Sequence, residues 1–210
     1  MGFSVSTFAS DEHRYVVNPR YAEAPLRSSS KTLRAAGTWT ENQQTELRIR
    51  QFDFISDQPE PKGGRDQGPS PMEYVAGGVN SCITVVVEQL AQRRGLPLTG
   101  ISTYTLARQD TRGLAGQADV QPYFYAYRLQ VVVETTQYEE SLLADFAAEA
   151  EHICPAVNLL RDAHIDLEVA WSFVSTLAEN HAELLANRAW GYEAKEGRPA
   201  DETFLEGVAL

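Results

Sequence analysis

Hydrophobic and polar positions alternate with different periods along the chain, and each change of period marks an element. Leu47 and Ile49, then Phe52 and Phe54, alternate with polar residues, the period-two pattern of half-buried strands. The phase slips by one residue near Arg50–Gln51, which predicts a bulge. The polar turn Glu41-Asn42-Gln43 divides residues 32–55 into two strands, so a hairpin is expected. Residues 56–71, SDQPEPKGGRDQGPSP, are dominated by proline and glycine and predict a loop. The loop ends in Ser70-Pro71, a pair suited to a helix start: serine caps and proline fills the first turn.

Val75, Val79, Cys82, Val86 and Leu90 then recur at i+3 and i+4, which predicts a helix over residues 71–94. Ile83, Val85 and Val87 carry the apolar surface round to the far side, the pattern of a central, buried helix. Gly77-Gly78 lies inside it. Glycine costs about 1 kcal/mol relative to alanine in a helix, so a close approach by another element is expected there. Arg93-Arg94 and Gly95 close the helix.

Residues 99–108 and 122–134 read as strands, with Tyr123, Tyr125, Tyr127, Leu129, Val131 and Val133 on one face. Gln109 to Gln121, carrying Gly113 and Gly116, is a hairpin loop or a flap. A second amphipathic helix is expected over 139–151, with Leu142, Leu143, Phe146, Ala147 and Ala150 inward. Pro155 lacks an N–H and interrupts helical bonding, which places Cys154 at a break between two helical pieces. Ile165, Leu167, Val169 and Trp171 alternate as a strand, and a last helix runs from about Ser175 to Trp190. The first thirty residues show no sustained period beyond a short strand at Tyr15-Val16-Val17. The expected organisation is an N-terminal arm (1–30), one domain (31–174) and a C-terminal helical extension (175–210). Without regular βαβ alternation the fold class is α+β.

Composition narrows the function. A chain of 210 residues buries roughly 70% of its unfolded surface and needs no disulfide or metal to hold a core. Its net charge is −11 with a sequence pI of about 4.8. There is no basic stripe of the kind that binds nucleic acid, and anionic lipid is disfavoured too. No apolar run approaches the ~18 residues of a membrane span. The first residues contain acidic side chains and no apolar signal core, so a cytoplasmic location is expected. Gly63-Gly64, Gly113 and Gly116 do not form a phosphate loop. His152, Cys154 and His164 do not match a zinc spacing, so neither cofactor nor metal is expected.

Two cysteines remain, Cys82 and Cys154. In a reducing compartment they are free thiols or a transient catalytic pair. The plainer possibility is that each is a small buried hydrophobe.

Two segments carry a resemblance. GGRDQGPSPMEYVAGGVNSC, residues 63–82, and CPAVNLLRDAHIDLEV, residues 154–169, resemble the OsmC/Ohr family of peroxide reductases over approximately residues 35–174. The first has a glycine-rich approach, a proline-led helix start with a carboxylate nearby, and a cysteine at the family's distance from the proline. The second has Cys-Pro followed by asparagine, an arginine, and a strand with an Ile-Asp pair. The resemblance implies antiparallel sheets wrapped around a central cysteine-bearing helix, in an intertwined homodimer with two sites at the subunit interface. It implies that Cys82 attacks a hydroperoxide, organic or hydrogen peroxide, and that Cys154 resolves the resulting sulfenic acid as a disulfide. A dithiol or lipoyl-type reductant then restores both thiols.

Something must favour the Cys82 thiolate. Cys82 lies about 16 Å beyond Pro71 at a helical rise of about 1.5 Å per residue, and the helix dipole fades beyond the first turn. A nearby cation is therefore required. Similar proteins use an arginine from the N-terminal strands, held by a glutamate directly after the helix-start proline. Here the matching strand and turn read Gly37-Thr38-Trp39-Thr40-Glu41, Met72 follows Pro71, and the carboxylate comes one place later at Glu73. The replacement cations to consider are Arg48, Arg50 and Arg65, with Glu73 as the candidate carboxylate of the site. Asn158 and Arg161 are expected to brace the region around Cys154. The departures keep a second reading open: a diverged, non-enzymatic dimer that binds a small apolar ligand or senses oxidation.

Overall fold

The computed structural model describes residues 29–176. The strand expected at Tyr15–Val17 and all but the first two residues of the last expected helix lie outside them. Two three-stranded sheets flank a long helix in the sequence. β1 (Ala36–Trp39), β2 (Thr45–Ile49) and β3 (Phe52–Ser56) form one antiparallel sheet in chain order. The phase slip at Arg50–Gln51 is not a bulge. Ile49 pairs directly with Phe52, so Arg50 and Gln51 are the two turn residues of a tight hairpin, and Arg50 takes the positive φ of 57°. Reversing direction over two residues shifts the phase by one just as a bulge does. The turn is built from Arg-Gln rather than the Asn-Gly or Asp-Gly that usually marks it.

One face of this sheet is apolar. Gly37, Leu47 and Phe54 are register partners, and so are Ile49 and Phe52. Trp39 is 71% exposed and Phe52 51% exposed. The sheet meets the helix that follows near its start: the Phe54 and Tyr74 rings lie 5.3 Å apart, and the Tyr74 hydroxyl donates to the Ile55 carbonyl at 2.6 Å.

The intervening loop is organised by a residue the sequence pattern did not single out. Asp57 is fully buried, and its carboxylate accepts from the backbone N–H groups of Gln58 (2.8 Å), Arg65 (3.1 Å) and Gln67 (3.2 Å). Burial by itself would raise its pKa. The N–H donors of Gln67, Gln58 and Arg65, with the Gln44 side chain, outweigh burial and hold the carboxyl below its ordinary value. The proline- and glycine-rich loop is thus a fixed strap around one anion.

Helix α1 spans Pro71–Arg94, as its spacing predicts. Its buried stripe is Val79, Ile83, Val87, Leu90 and Ala91. Ile83 and Val87, assigned from sequence to the far side, face the core, whereas Val75 and Val85 are each 47% exposed. Within this chain α1 is therefore buried on one side. The close approach expected at Gly77-Gly78 is not made by the described residues, because a Cβ at either position would meet nothing within 4 Å.

β4 (Gly100–Gln109), a short helix α2 (Thr111–Leu114) and β5 (Phe124–Glu134) follow. Next come α3 (Glu140–Ile153), α4 (Pro155–Asp162) and β6 (Asp166–Val174). The second sheet has the order β4-β5-β6. Its first pair is antiparallel and its second parallel, so this sheet is mixed rather than antiparallel. A parallel pair needs a long crossover, and α3 and α4 supply it. Tyr127, Leu129, Val131 and Val133 share one face as predicted and are fully buried in the core with α1, α3 and α4. The tyrosine stripe does not continue to the strand end. The register shifts between Arg108 and Gln109, where Gln109 pairs with Phe124 and Arg108 with Ala126. The irregularity turns Phe124 inward and leaves Tyr123 and Tyr125 exposed.

A partly buried polar chain joins α1 to the second sheet. The Tyr127 hydroxyl lies within hydrogen-bond reach of the Ala76 carbonyl (3.3 Å) and of Thr105 Oγ1 (3.2 Å), and Thr105 Oγ1 lies 2.5 Å from Asn80 Oδ1. Burial pushes the Tyr127 phenol up from 10.0 to about 12, partly offset by the Thr105 hydrogen bond. Because the folded-state pKa is the higher one, the associated stability is complete below pH 10 and is lost as pH rises towards 12. Tyr127→Phe is expected to cost about 1–2 kcal/mol at neutral pH and to flatten this alkaline loss. Urea unfolding of both proteins at several pH values checks the two effects.

Candidate functional site

The α3–α4 break and the middle of α1 bring the two cysteines together. Cys154 is both the last cap of α3 and the first cap of α4: its N–H donates to Ala150 O, and its carbonyl accepts from Asn158 N, each at 3.1 Å. Pro155 cannot donate to the preceding turn, so the chain must bend there. The bend aims the Cys154 side chain at α1, where Cys82 occupies the same face as the core residues it packs against. The sulfurs are 3.7 Å apart, with the Cys154 thiol donating towards Cys82. Both are free thiols. A disulfide needs about 2.0 Å, so modest side-chain movement closes the pair.

Their surroundings differ. Cys82 is partly exposed, while Cys154 is fully buried. Burial pushes the Cys154 thiol up, and the neighbouring Cys82 pushes it further. The backbone N–H groups of Val157 and Ala156, at the start of α4, oppose this but do not reverse it. The thiolate is the nucleophile, so the pair is asymmetric: Cys82 is partly exposed, and Cys154 is buried where the thiol form is favoured.

The other sequence candidates fall elsewhere. Glu73 accepts from Ser70 N at 2.6 Å, the return half of a capping box that fixes the start of α1. It lies nine residues before Cys82, about 13 Å along the helix axis. Arg48 makes a two-pronged pair with Asp53 (2.5 and 2.9 Å) on the polar face of the first sheet. Arg50 lies 5.0 Å over the Phe52 ring, and Arg65 pairs with Glu41 at 2.6 Å. None of these arginine contacts involves either cysteine. Among the described residues no group of three or more His, Cys, Asp or Glu side chains is placed to hold a metal ion.

Around Cys154 the structure adds two residues that sequence spacing did not single out, Glu151 and Trp171. Asn158 Nδ2 lies 3.1, 2.9 and 2.9 Å from the carbonyls of Glu151, His152 and Cys154. Arg161 donates to Asn158 Oδ1 at 3.0 Å and to Glu151 Oε2 at 2.8 Å, and Trp171 Nε1 donates to Glu151 Oε1 at 2.9 Å. The expected bracing by Asn158 and Arg161 is present.

A family model described as OsmC-like protein matches residues 64–170, just over half of the chain, and includes both cysteines. The chain belongs to the OsmC-like family. Solved structures share this OsmC-like fold at low identity. An OsmC-like protein from Mycoplasma pneumoniae aligns with a TM-score of 0.60 and 16% identity, over 69% of this chain and 98% of that one. The organic hydroperoxide resistance protein OsmC from Legionella pneumophila gives 0.51 and 17%, over 70% and 99%. An organic hydroperoxide resistance protein from Elizabethkingia anophelis gives 0.51 and 15%, over 71% and 100%. At these identities the likeness establishes the fold. No curated protein matches the OsmC-like chain.

Proposed function

We propose that this protein is a thiol-dependent peroxidase that reduces organic hydroperoxides or hydrogen peroxide. The observation that carries this reading is the asymmetric sulfur pair, accessible Cys82 facing buried Cys154 at 3.7 Å. The Cys82 thiolate attacks one peroxide oxygen. The O–O bond breaks, the other oxygen leaves as alkoxide and takes a proton, and Cys82 becomes a sulfenic acid. Cys154 attacks that sulfur, water leaves, and the two cysteines are joined as a disulfide. An external dithiol, of lipoyl type or otherwise, is oxidised in restoring them. Glu73 has one oxygen occupied by the Ser70 N–H; in this reading the other holds a cation for the site.

The working unit is a homodimer. Support comes from the exposed apolar face of the first sheet and from Val75, Gly78 and Val85 on the open side of α1, surfaces that a second copy would cover. No helix among the described residues is long and apolar enough to cross a membrane, and a cytoplasmic location fits a pair that must be re-reduced. The test is consumption of tert-butyl hydroperoxide by the reduced protein with dithiothreitol as donor. Catalytic turnover is expected; fewer than one peroxide consumed per chain would contradict it.

The engagement of Arg48, Arg50 and Arg65 elsewhere favours the second reading, a diverged dimer that binds a small apolar ligand or senses oxidation. The pH dependence of Cys82 alkylation separates the two. A peroxidase shows half-maximal reactivity well below the ordinary thiol value of about 8.5. A thiol titrating there, without peroxide turnover, supports the second reading.

A further inference from the structure

The break between α3 and α4 leaves carbonyls that helical bonding does not use. Pro155 has no N–H to give to the Glu151 carbonyl, and the bend removes the usual partner of His152. Carbonyls left open at a helix end are met by side chains or water. Asn158 supplies them, with two amide hydrogens shared among the Glu151, His152 and Cys154 carbonyls. The amide is held in that orientation because Arg161 donates to its oxygen. Arg161 is in turn fixed by Glu151, whose second carboxylate oxygen takes the Trp171 N–H. Trp171 stacks on Phe173, ring centroids 6.1 Å apart, within β6. The ring of bonds begins and ends at residue 151 and encloses the turn that carries Cys154. None of these hydrogen bonds is made to Cys82.

We propose that Asn158 is a positioning residue for the resolving step, and that its amide, locked by Arg161, Glu151 and Trp171, sets how fast Cys154 captures the Cys82 sulfenic acid. This rests on the reading of Cys82 and Cys154 as attacking and resolving thiols. In capture, the Cys154 sulfur forms a bond to the Cys82 sulfur while the Cys82 S–O bond breaks. Hydroxide leaves and takes up the Cys154 proton as water. The brace contributes only geometry: it holds the Cys154 turn so that its sulfur stays beside Cys82. Freeing the turn lowers the effective concentration of one sulfur at the other and leaves the first chemical step alone.

Two measurements on reduced full-length protein test this. The first is the equilibrium between dithiol and disulfide in glutathione buffers, which gives the effective concentration of Cys154 at Cys82 without any peroxide. The second is a single turnover with tert-butyl hydroperoxide, following Cys82 sulfenic acid by dimedone trapping and mass spectrometry. Asn158→Ala is expected to lower the effective concentration at least tenfold. It should lengthen the sulfenic acid lifetime at least tenfold and raise the sulfinic acid yield, with the rate of Cys82 oxidation unchanged. Asn158→Asp, which lacks the donors, should behave the same way. Arg161→Lys, a surface change, should give a loss of about threefold and carries the test if the first two variants fail to fold. Capture at the wild-type rate in the folded variants overturns the proposal. Equal slowing of Cys82 oxidation and capture also overturns it, because that is the signature of a loosened fold. A wild-type protein that forms no sulfenic acid removes the peroxidase reading instead, while the glutathione equilibrium still decides whether the brace holds the pair together.

Discussion

Cys82→Ser is expected to abolish peroxide consumption, with a loss of at least about three orders of magnitude, because a serine hydroxyl neither ionises near neutrality nor forms a sulfenic acid. The substitution is nearly isosteric. Cys82 is only partly buried and follows a serine in the same helix. The variant should therefore fold, and its thermal unfolding should stay close to wild type. Only the sulfur is removed. The measurement is the rate of tert-butyl hydroperoxide loss with dithiothreitol as donor, alongside a thermal melt. Turnover within tenfold of wild type in a folded variant would remove Cys82 from the mechanism and would shift attention to Cys154, which burial and a raised pKa make a poor first nucleophile.

Cys154→Ala should separate the two halves of the cycle. Alanine suits a fully buried position better than serine, whose hydroxyl would need a partner there. The first peroxide should be reduced at the wild-type rate, because Cys82 remains accessible. Steady turnover should fall roughly tenfold to a hundredfold, limited by slow capture of the sulfenic acid by the external thiol. With excess peroxide, Cys82 should advance to sulfinic acid and the protein should inactivate. Stopped-flow oxidation and intact-mass measurement check the two halves independently. An equal loss in both would show that Cys154 supports the Cys82 environment rather than the resolving step.

Much of this architecture is legible in the sequence because its signals are local. Ser70-Pro71 and Gly95 bound α1 at the residues observed, since capping depends on neighbours in the chain. Pro155 predicts the α3–α4 break, and with it the setting of Cys154. Non-local pairing is less legible. The slip at Arg50–Gln51 has two geometric solutions, and only the pairing of Ile49 with Phe52 selects the hairpin. Ile83 and Val87 belong to a helix with apolar residues on more than one side, where periodicity cannot say which side another element covers. The tyrosine stripe of β5 loses its phase at a register shift that depends on how β4 pairs with it. The direction of β6 depends on a crossover and not on alternation.

The site divides in the same way. Both cysteines are identifiable from two motifs, and their approach follows once the elements are placed. Glu73 is identifiable as a first-turn carboxylate, and the structure shows it capping its helix. The brace around Cys154 was legible only in part. Asn158 follows Cys154 by one helical turn, which is a usable signal. Glu151 and Trp171 come from two other elements and carry no pattern that links them. Asp57 is similar: an acidic residue before a glycine-rich loop looks solvated until three N–H groups are seen converging on it.

In the proposed function Cys82 and Cys154 act as one redox couple. Reduced protein treated with one equivalent of tert-butyl hydroperoxide, quenched, digested without reductant and mapped by mass spectrometry tests it most directly. One tert-butanol per chain is expected, with a cross-linked peptide pair joining Cys82 to Cys154 within the same chain, reversed by dithiothreitol. Two free thiols with the peroxide unconsumed, or Cys82 oxidised while Cys154 stays free and uncoupled, would contradict it.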